Sequence, residues 1–314
     1  MITGITGFVG SFLSRYLLHL GEEVIGIKRV RSPLDNIIKI INEVCLYDCD
    51  LLEANRLHEI IDKERPECIY HLAAQSFVPY SLTNPVQTFE ANVIGTINLF
   101  EAVKLIQGYN PKIHFCSSSE VYGQVLKEEV PIKESNPLRP SSPYAASKAA
   151  ADLTCYSYFK NDQLNIIRTR AFTHTGPRRG EMFVVSAFAK QIALIEERLQ
   201  KGAMNVGNLK SVRTFLDVRD IVKAYHALMQ FGDPGEVYNI GGTETMEIGY
   251  MLNMLLKLTK RKIEIVEDKS LFRPADVTLQ IPDCSKLIEK THWKPTIPFD
   301  KTLKDTLDYW RMKV

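Results

Sequence analysis

No apolar run in the chain approaches the roughly 20 residues that a membrane-spanning helix needs, because charged residues interrupt every hydrophobic stretch first. A basic segment followed by an apolar one, the pattern of a secretory leader, does not open it either. Neither sign of charge dominates: 39 Lys and Arg face 37 Asp and Glu, a net charge of +2, so no overall field demands nucleic acid or a membrane surface. Cysteines are few and scattered, six at positions 45, 49, 68, 116, 155 and 284. Cys45 and Cys49 form the one close pair and have no matching ligand pair, which implies free thiols in a reduced cytoplasm. His-x-Glu, His-Glu-x-x-His and EF-hand spacings are missing, so a metal is not indicated. There is no internal repeat or low-complexity linker. What remains is an ordinary globular composition, 45% hydrophobic and 24% charged, on 314 residues. That length buries one large α/β core or two unequal lobes.

Gly4-Ile5-Thr6-Gly7-Phe8-Val9-Gly10 comes first, and apolar residues at 12, 13, 16, 17 and 20 then mark a helical stripe that Gly21 stops. Residues 23–28 read as a strand. A glycine turn entering a helix that returns to a second strand is the context a dinucleotide fingerprint requires, with the pyrophosphate on the helix N-terminus. Only Met1, Ile2 and Thr3 precede Gly4; either the first strand is stunted or the natural start lies upstream. Where NAD-binding folds tend to carry an acidic residue for the ribose, this chain has Lys28-Arg29-Val30-Arg31-Ser32. Cations there suit a 2′-phosphate, hence NADP, although a solvated basic turn reads the same way. A third strand at 45–51 sets Asp50 and Leu51 near an adenine. The fourth, 67–75, ends in Leu72-Ala73-Ala74, small enough for backbone to pack against a cofactor, while His71 fits a strand histidine better than a ligand. A long amphipathic helix over 86–106 and an apolar strand from Lys112 to Ser118 continue the alternation, which implies a parallel, doubly wound sheet of Rossmann type. Ligands of such sheets lie at the carboxyl ends of the strands, where Ser117-Ser118-Ser119-Glu120 falls.

Ser141-Ser142-Pro143-Tyr144-Ala145-Ala146-Ser147-Lys148 opens the next helix, with Pro143 suited to its first turn and either serine able to cap. Tyr144 and Lys148 are four apart and share a face. A phenol has a reference pKa near 10, and an ammonium one turn away favours the phenolate and draws that value towards neutrality. Such a pair can move a proton on or off a sugar hydroxyl. The spacing alone is a weak signal; the serine run and the glycine turn give it weight.

Together, TGxxGxxG, HLAAQS, SSSEVYG and SPYxxSK resemble the extended short-chain dehydrogenases/reductases that act on nucleotide sugars. Thr169–Glu181, Phe183-Val184-Val185, Val206-Gly207-Asn208-Leu209 with Arg213, Asp217–Asp220 and Leu271–Asp276 narrow the resemblance to the GDP-mannose 4,6-dehydratases and the neighbouring GDP-4-keto-6-deoxymannose reductases. It runs from Gly4 to Trp310. By that resemblance Ser118, Tyr144 and Lys148 form a catalytic triad and Glu120 matches the dehydratase base, although a turn carboxylate reads the same and some reductases keep a glutamate there. Gly4, Gly7, Phe8, Val9, Gly10, Arg29, Arg31, Asp50, Leu51, Leu72, Ala73, Ala74, Tyr144, Lys148 and Arg179 would hold NADP. Arg213 and Arg273 would grip the substrate diphosphate and Asp276 the nucleoside ribose. Ser76, Thr173, Val184, Lys190, Gly207 and Asn208 complete the substrate-side set, with Arg178 a further candidate. Thr173 stands where relatives usually have Asn, and a hydroxyl cannot present an amide's paired groups.

The fold these expectations describe is a Rossmann domain of residues 1–170 to which 214–242 return, and a smaller α/β C-terminal lobe of 171–213 and 243–314 that binds the nucleotide sugar. The resemblance implies a GDP-sugar substrate, no nucleic acid or membrane partner, and a homodimer or homotetramer packed through the helices at 86–106 and 144–160. Two activities lead, with another nucleotide-sugar epimerase/dehydratase or a non-catalytic NADP-binding protein as further readings, the last opposed by the intact Ser118, Tyr144 and Lys148. Arg178–Glu181 and Glu120 favour the 4,6-dehydratase; stretches 136–144 and 183–194 lean towards the reductase.

Overall fold

The first strand is two residues long. In a computed structural model describing residues 1–272 and 279–314, β1 (Ile2–Thr3) runs through the glycine turn into α1 (Phe8–His19), then β2 (Val24–Lys28) and β3 (Val44–Asp48). α2 (Ala54–Glu64) returns to β4 (Cys68–His71), and α3 (Val78–Thr83), α4 (Pro85–Phe89) and α5 (Gly95–Lys104) lead to β5 (Lys112–Cys116). α6 (Pro143–Asp162) precedes β6 (Ile166–Ala171). The chain continues through β7 (His174–Thr175), α7 (Val184–Glu196), β8 (Ala203–Val206), β9 (Val212–Thr214), β10 (Leu216–Asp217), α8 (Val218–Phe231) and β11 (Val237–Ile240). It closes with β12 (Thr245–Glu247), α9 (Ile248–Leu256), β13 (Glu264–Glu267), β14 (Leu279–Gln280), α10 (Ser285–Thr291) and α11 (Phe299–Arg311).

Seven strands pair in parallel in the order β11-β6-β5-β4-β1-β2-β3. The order reverses beside β1, so the crevice of this doubly wound sheet opens at the glycine turn. Apolar helix faces cover both sides: Leu13, Leu17, Val222 and Leu228 lie in one core, Leu57, Ile61, Leu99 and Val103 in the other. A third core joins α7, α9 and α11 through Phe188, Ile192, Met251, Leu255 and Leu307. Leu287 and Trp293 pack into the first core although their place in the sequence put them with the smaller lobe.

Strand β6 is buried along its whole length yet carries Arg168 and Arg170. Both guanidinium groups reach Asp152, one turn beyond Lys148 on α6: Arg168 Nη1 donates to Oδ1 at 2.8 Å and Arg170 Nε to Oδ2 at 3.0 Å. The buried cluster fixes α6 to the sheet. The helix expected over 86–106 is interrupted by a π-turn at Glu90–Ile94 between α4 and α5. The wider turn carries Asn92, whose Oδ1 accepts from Gln75 N (2.8 Å) and whose Nδ2 donates to Ser147 Oγ (2.9 Å). It ties the end of β4 to the helix bearing Tyr144.

Candidate active site

A cleft of about 2240 Å³ runs along the carboxyl edge of the sheet and on between the two packed halves of the molecule. At its floor Gly7 caps α1 with no side-chain hydrogen bond, leaving the first helical N–H groups for an anion. Gly4 has φ +72°, and a Cβ there would lie 3.0 Å from the Ala73 Cα; one on Gly10 would come within 2.4 Å of the Gly4 carbonyl oxygen. Turn and strand end thus meet backbone to backbone. Thr3 Oγ1 accepts from Leu72 N and Ala73 N, both at 3.1 Å, so its own proton goes to His71 Nδ1 at 2.8 Å. His71 Nε2 then donates to Thr96 Oγ1 (3.0 Å), which passes its proton to Asn92 O (2.7 Å). His71 is held neutral, its pKa pushed to about 3 by burial and by the charge on Lys148.

Gly4, Gly7, Phe8, Val9, Gly10, Arg29, Asp50, Leu51, Leu72, Ala73 and Ala74 all line the cleft. Arg31 is not among its lining residues; Lys28, Arg29 and Ser32 face the space, Lys28 while paired with Asp48 across β2 and β3. The far side is formed by Ser76, Thr173, Arg179, Val184, Gly207, Asn208 and Arg213. Lys190 stays outside the lining: it is paired with Glu181, which does face the cleft, and lies 5.5 Å from the Trp310 ring. Arg178 turns away too, bonding Ser11 Oγ at 3.2 Å and resting over the Phe12 ring. Arg273 and Asp276 lie outside the described residues.

Ser118, Glu120, Tyr144 and Lys148 converge on the middle of the cleft wall. Pro143 opens α6 and Ser142 caps it, accepting from Ala145 N at 3.1 Å. Ser118 Oγ accepts from Glu120 N at 3.2 Å, so its proton is free to turn towards the neighbouring Tyr144 phenol. The expected pull of Lys148 on Tyr144 is not what governs the phenol. Burial pushes Tyr144 up to about 12; the Ser118 bond and the Arg179 charge oppose this, while Cys116 and Glu120 add to it. Lys148 sits with Nζ 4.5 Å from the centre of the Phe115 ring and is itself pushed down by burial, with Cys116, Cys155 and Asp152 acting the other way.

Two residues at the cleft were missed as functional in the sequence. His174 stacks on Phe8, rings 6.0 Å apart and 6° from parallel, and Phe183 meets the Arg179 guanidinium face at 3.5 Å. Both were quoted in motifs; only the fold brings them to the glycine turn. Burial and the nearby Arg179 push His174 down to about 4, so it too is neutral. Among the described residues no cluster of His, Cys, Asp and Glu could hold a metal, and no helix is long and apolar enough to cross a membrane. The six cysteines are unpaired.

A seven-stranded doubly wound sheet with Ser118, Tyr144 and Lys148 at its ligand edge defines an enzyme of the extended short-chain dehydrogenase/reductase class. The family described as GDP-mannose 4,6 dehydratase matches residues 1–306. The chain belongs to that family. It is 31% identical to a GDP-6-deoxy-D-mannose reductase of Pseudomonas aeruginosa, over all of this chain and 97% of that one. It is 32% identical to the human GDP-mannose 4,6 dehydratase over 97% of this chain and 89% of that one. Among solved structures, a Pseudomonas aeruginosa protein complexed with NADPH superposes with a TM-score of 0.86 at 31% identity, covering 100% of this chain and 99% of that one.

Proposed function

We propose that the chain is an NADP-dependent GDP-mannose 4,6-dehydratase. The observation that carries the reading is the Glu120 carboxylate on the cleft wall beside Ser118 and Tyr144. The cofactor fits the residues present: a glycine cradle that a Cβ would fill, an α1 N-terminus open to a pyrophosphate, and Arg29 and Ser32 where a 2′-phosphate would emerge. Asp50 and Leu51 would take the adenosine, Leu72–Ala74 the flat wall and Lys148 the nicotinamide ribose. When bound, NADP supplies a hydride acceptor for sugar C4 and returns the hydride to C6.

The rest of the chemistry belongs to the side chains. Tyr144 takes the proton from the C4 hydroxyl while Ser118 hydrogen-bonds the C4 oxygen. A ketone at C4 acidifies the C5 proton, which Glu120 removes and passes to the C6 hydroxyl so that it leaves as water. The proton taken from the C4 hydroxyl balances the one that C5 regains when the hydride returns to C6. Arg213, with its guanidinium fork, suits the substrate diphosphate. Exposed apolar side chains on the two helical stretches named above (Val86, Phe89, Ile94, Leu153 and Tyr156) support a homodimer in which a second copy covers them.

A second reading, the C4 reductase, is favoured by the Pseudomonas aeruginosa reductase, which the chain spans almost end to end. Purified protein incubated with GDP-mannose and no reductant separates the two by mass spectrometry. The dehydratase yields a product lighter by one water; the reductase leaves GDP-mannose untouched and oxidises NADPH only with the 4-keto-6-deoxy sugar. Glu120→Gln is expected to keep nucleotide binding and abolish water loss; undiminished NADPH oxidation with the 4-keto-6-deoxy sugar in that variant would transfer the assignment to the reductase.

A further inference from the structure

Behind the cleft wall, buried polar side chains form a path that the scheme above leaves unused. Arg170 is its hub: Nε and Nη2 donate to the Asp152 carboxylate at 3.0 and 3.2 Å, and Nη1 donates to the Tyr122 hydroxyl at 3.0 Å. That hydroxyl in turn donates to Asn239 Oδ1 at 2.8 Å. Asn239 Nδ2 donates to Ile132 O at 2.9 Å and its backbone N–H to Glu134 Oε1 at 2.7 Å, so the amide is fixed with its oxygen towards the phenol. Asp152, Tyr122 and Asn239 are fully buried and Arg170 is 4% exposed.

The two ends of the path are the two elements that carry the proton-handling side chains. Asp152 follows Lys148 by one turn of α6 and Tyr144 by two. Tyr122 closes the short 3₁₀ turn Ser119–Tyr122, whose second residue is Glu120. The turn is pinned at its start by Glu120 N donating to Ser118 Oγ and again by Arg139 N donating to Val121 O at 3.0 Å. The Tyr122 ring, stacked on Phe172 with centres 6.2 Å apart, would fill the core as well without its hydroxyl. What the hydroxyl adds is direction: a buried hydrogen-bond network is satisfied in one geometry, whereas apolar packing tolerates sliding.

We propose that Tyr122 is a positioning residue for Glu120, tying the turn that bears this carboxylate through Arg170 to α6 so that Glu120 and Tyr144 keep one spacing across the bound sugar. The inference rests on the dehydratase reading, in which Tyr144 takes a proton at C4 and Glu120 takes one at the adjoining C5. Both side chains must reach one sugar ring, and a misplacement of about 1 Å can cost about 10²-fold in rate.

The experiment compares NADP-loaded wild type, Tyr122→Phe and Asn239→Ala on GDP-mannose carrying deuterium at C5 or at C4. Tyr122→Phe is expected to lower kcat by about 10- to 100-fold while KM and NADP affinity hold within about twofold. C5 deprotonation should then limit turnover, giving a primary isotope effect from deuterium at C5 and one from C4 no larger than in wild type. Asn239→Ala, which removes the acceptor but keeps the bond from Arg170 to Tyr122, should show the same pattern at smaller amplitude. Undiminished kcat in Tyr122→Phe overturns the inference. So does a slowdown without an isotope effect at C5, the mark of a structural loss shared by all steps. If Tyr122→Phe fails to fold by circular dichroism, Asn239→Ala decides on the same two readings. Wild type that forms no lighter product from GDP-mannose overturns the proposed function and this inference with it, a result seen before any variant is compared.

Discussion

At the scale of single residues, the proposed dehydratase chemistry turns on how the phenol of Tyr144 is balanced. Burial raises it, Ser118 and Arg179 lower it, and Glu120 stands close enough to raise it again. Because the folded protein disfavours the phenolate, the fraction able to accept a proton grows as pH rises, and kcat for GDP-mannose should climb with pH on its acid side. Tyr144→Phe should lower kcat by about 10² to 10⁴-fold, the usual contribution of a positioned acid–base group, with NADP affinity little changed. Stopped-flow turnover alongside a fluorescence titration of the cofactor checks both halves. That Tyr144 and Lys148 reach the cleft from one helix was legible in the sequence because they lie one helical turn apart. The Phe115 ring under Lys148 and the stacking of Arg179 between Phe8 and Phe183 were not, since each depends on which strands and loops the fold brings together.

At the scale of elements, the glycine turn is readable because it is local, while its tolerance is set by the neighbour it touches. Gly10 packs so that an added methyl group would meet the Gly4 carbonyl oxygen at 2.4 Å and the Ile5 Cα at 2.9 Å. Both are main chain and cannot swing aside. Gly10→Ala should therefore displace the start of α1, cost about 1–3 kcal/mol of stability as an overpacked substitution, and weaken NADP at least tenfold. Thermal unfolding and isothermal titration with NADP report the two effects, and unaltered cofactor affinity would remove the turn from the binding site. Periodicity misjudged the 86–106 helix for a related reason. Apolar spacing continues through 90–94, so nothing local marks the π-turn; the demand comes from Asn92 reaching Gln75 and Ser147, long-range partners that only the folded sheet supplies.

At the scale of the molecule, strand–helix alternation revealed the doubly wound sheet, since each crossover leaves its own apolar stripe, but the way the tail closes on it was hidden in polar contacts. Asp220, fully buried on α8, accepts from Thr296 N and Ile297 N at 2.8 Å each and from Thr296 Oγ1 at 2.8 Å, and Lys223 approaches it at 3.2 Å. Three residues earlier Asp217 accepts from Thr302 Oγ1 of α11 at 2.7 Å, and Arg219 bridges to Asp305. These bonds hold the segment leading into α11 against α8, and α11 in turn packs on α7, whose first turn lines the cleft. Burial works against the Asp220 charge, but the Ile297 and Thr296 N–H groups, the Thr296 hydroxyl and Lys223 outweigh it and hold the carboxyl below its usual range. With the folded pKa below the unfolded value near 3.9, its contribution is complete above that pH and is lost as pH falls through the folded pKa. Asp220→Asn should cost about 2–4 kcal/mol, because an amide turns one donor towards donors it must satisfy. The loss should be largest near neutral pH and begin to shrink below pH ~4, where the unfolded carboxyl takes up a proton, disappearing only once the folded carboxyl is protonated too. Urea unfolding at pH 7 and pH 3.5, with hydrogen exchange at Thr296 and Ile297, measures it; a cost equal at both pH values would mean that the latch works by shape and not by charge.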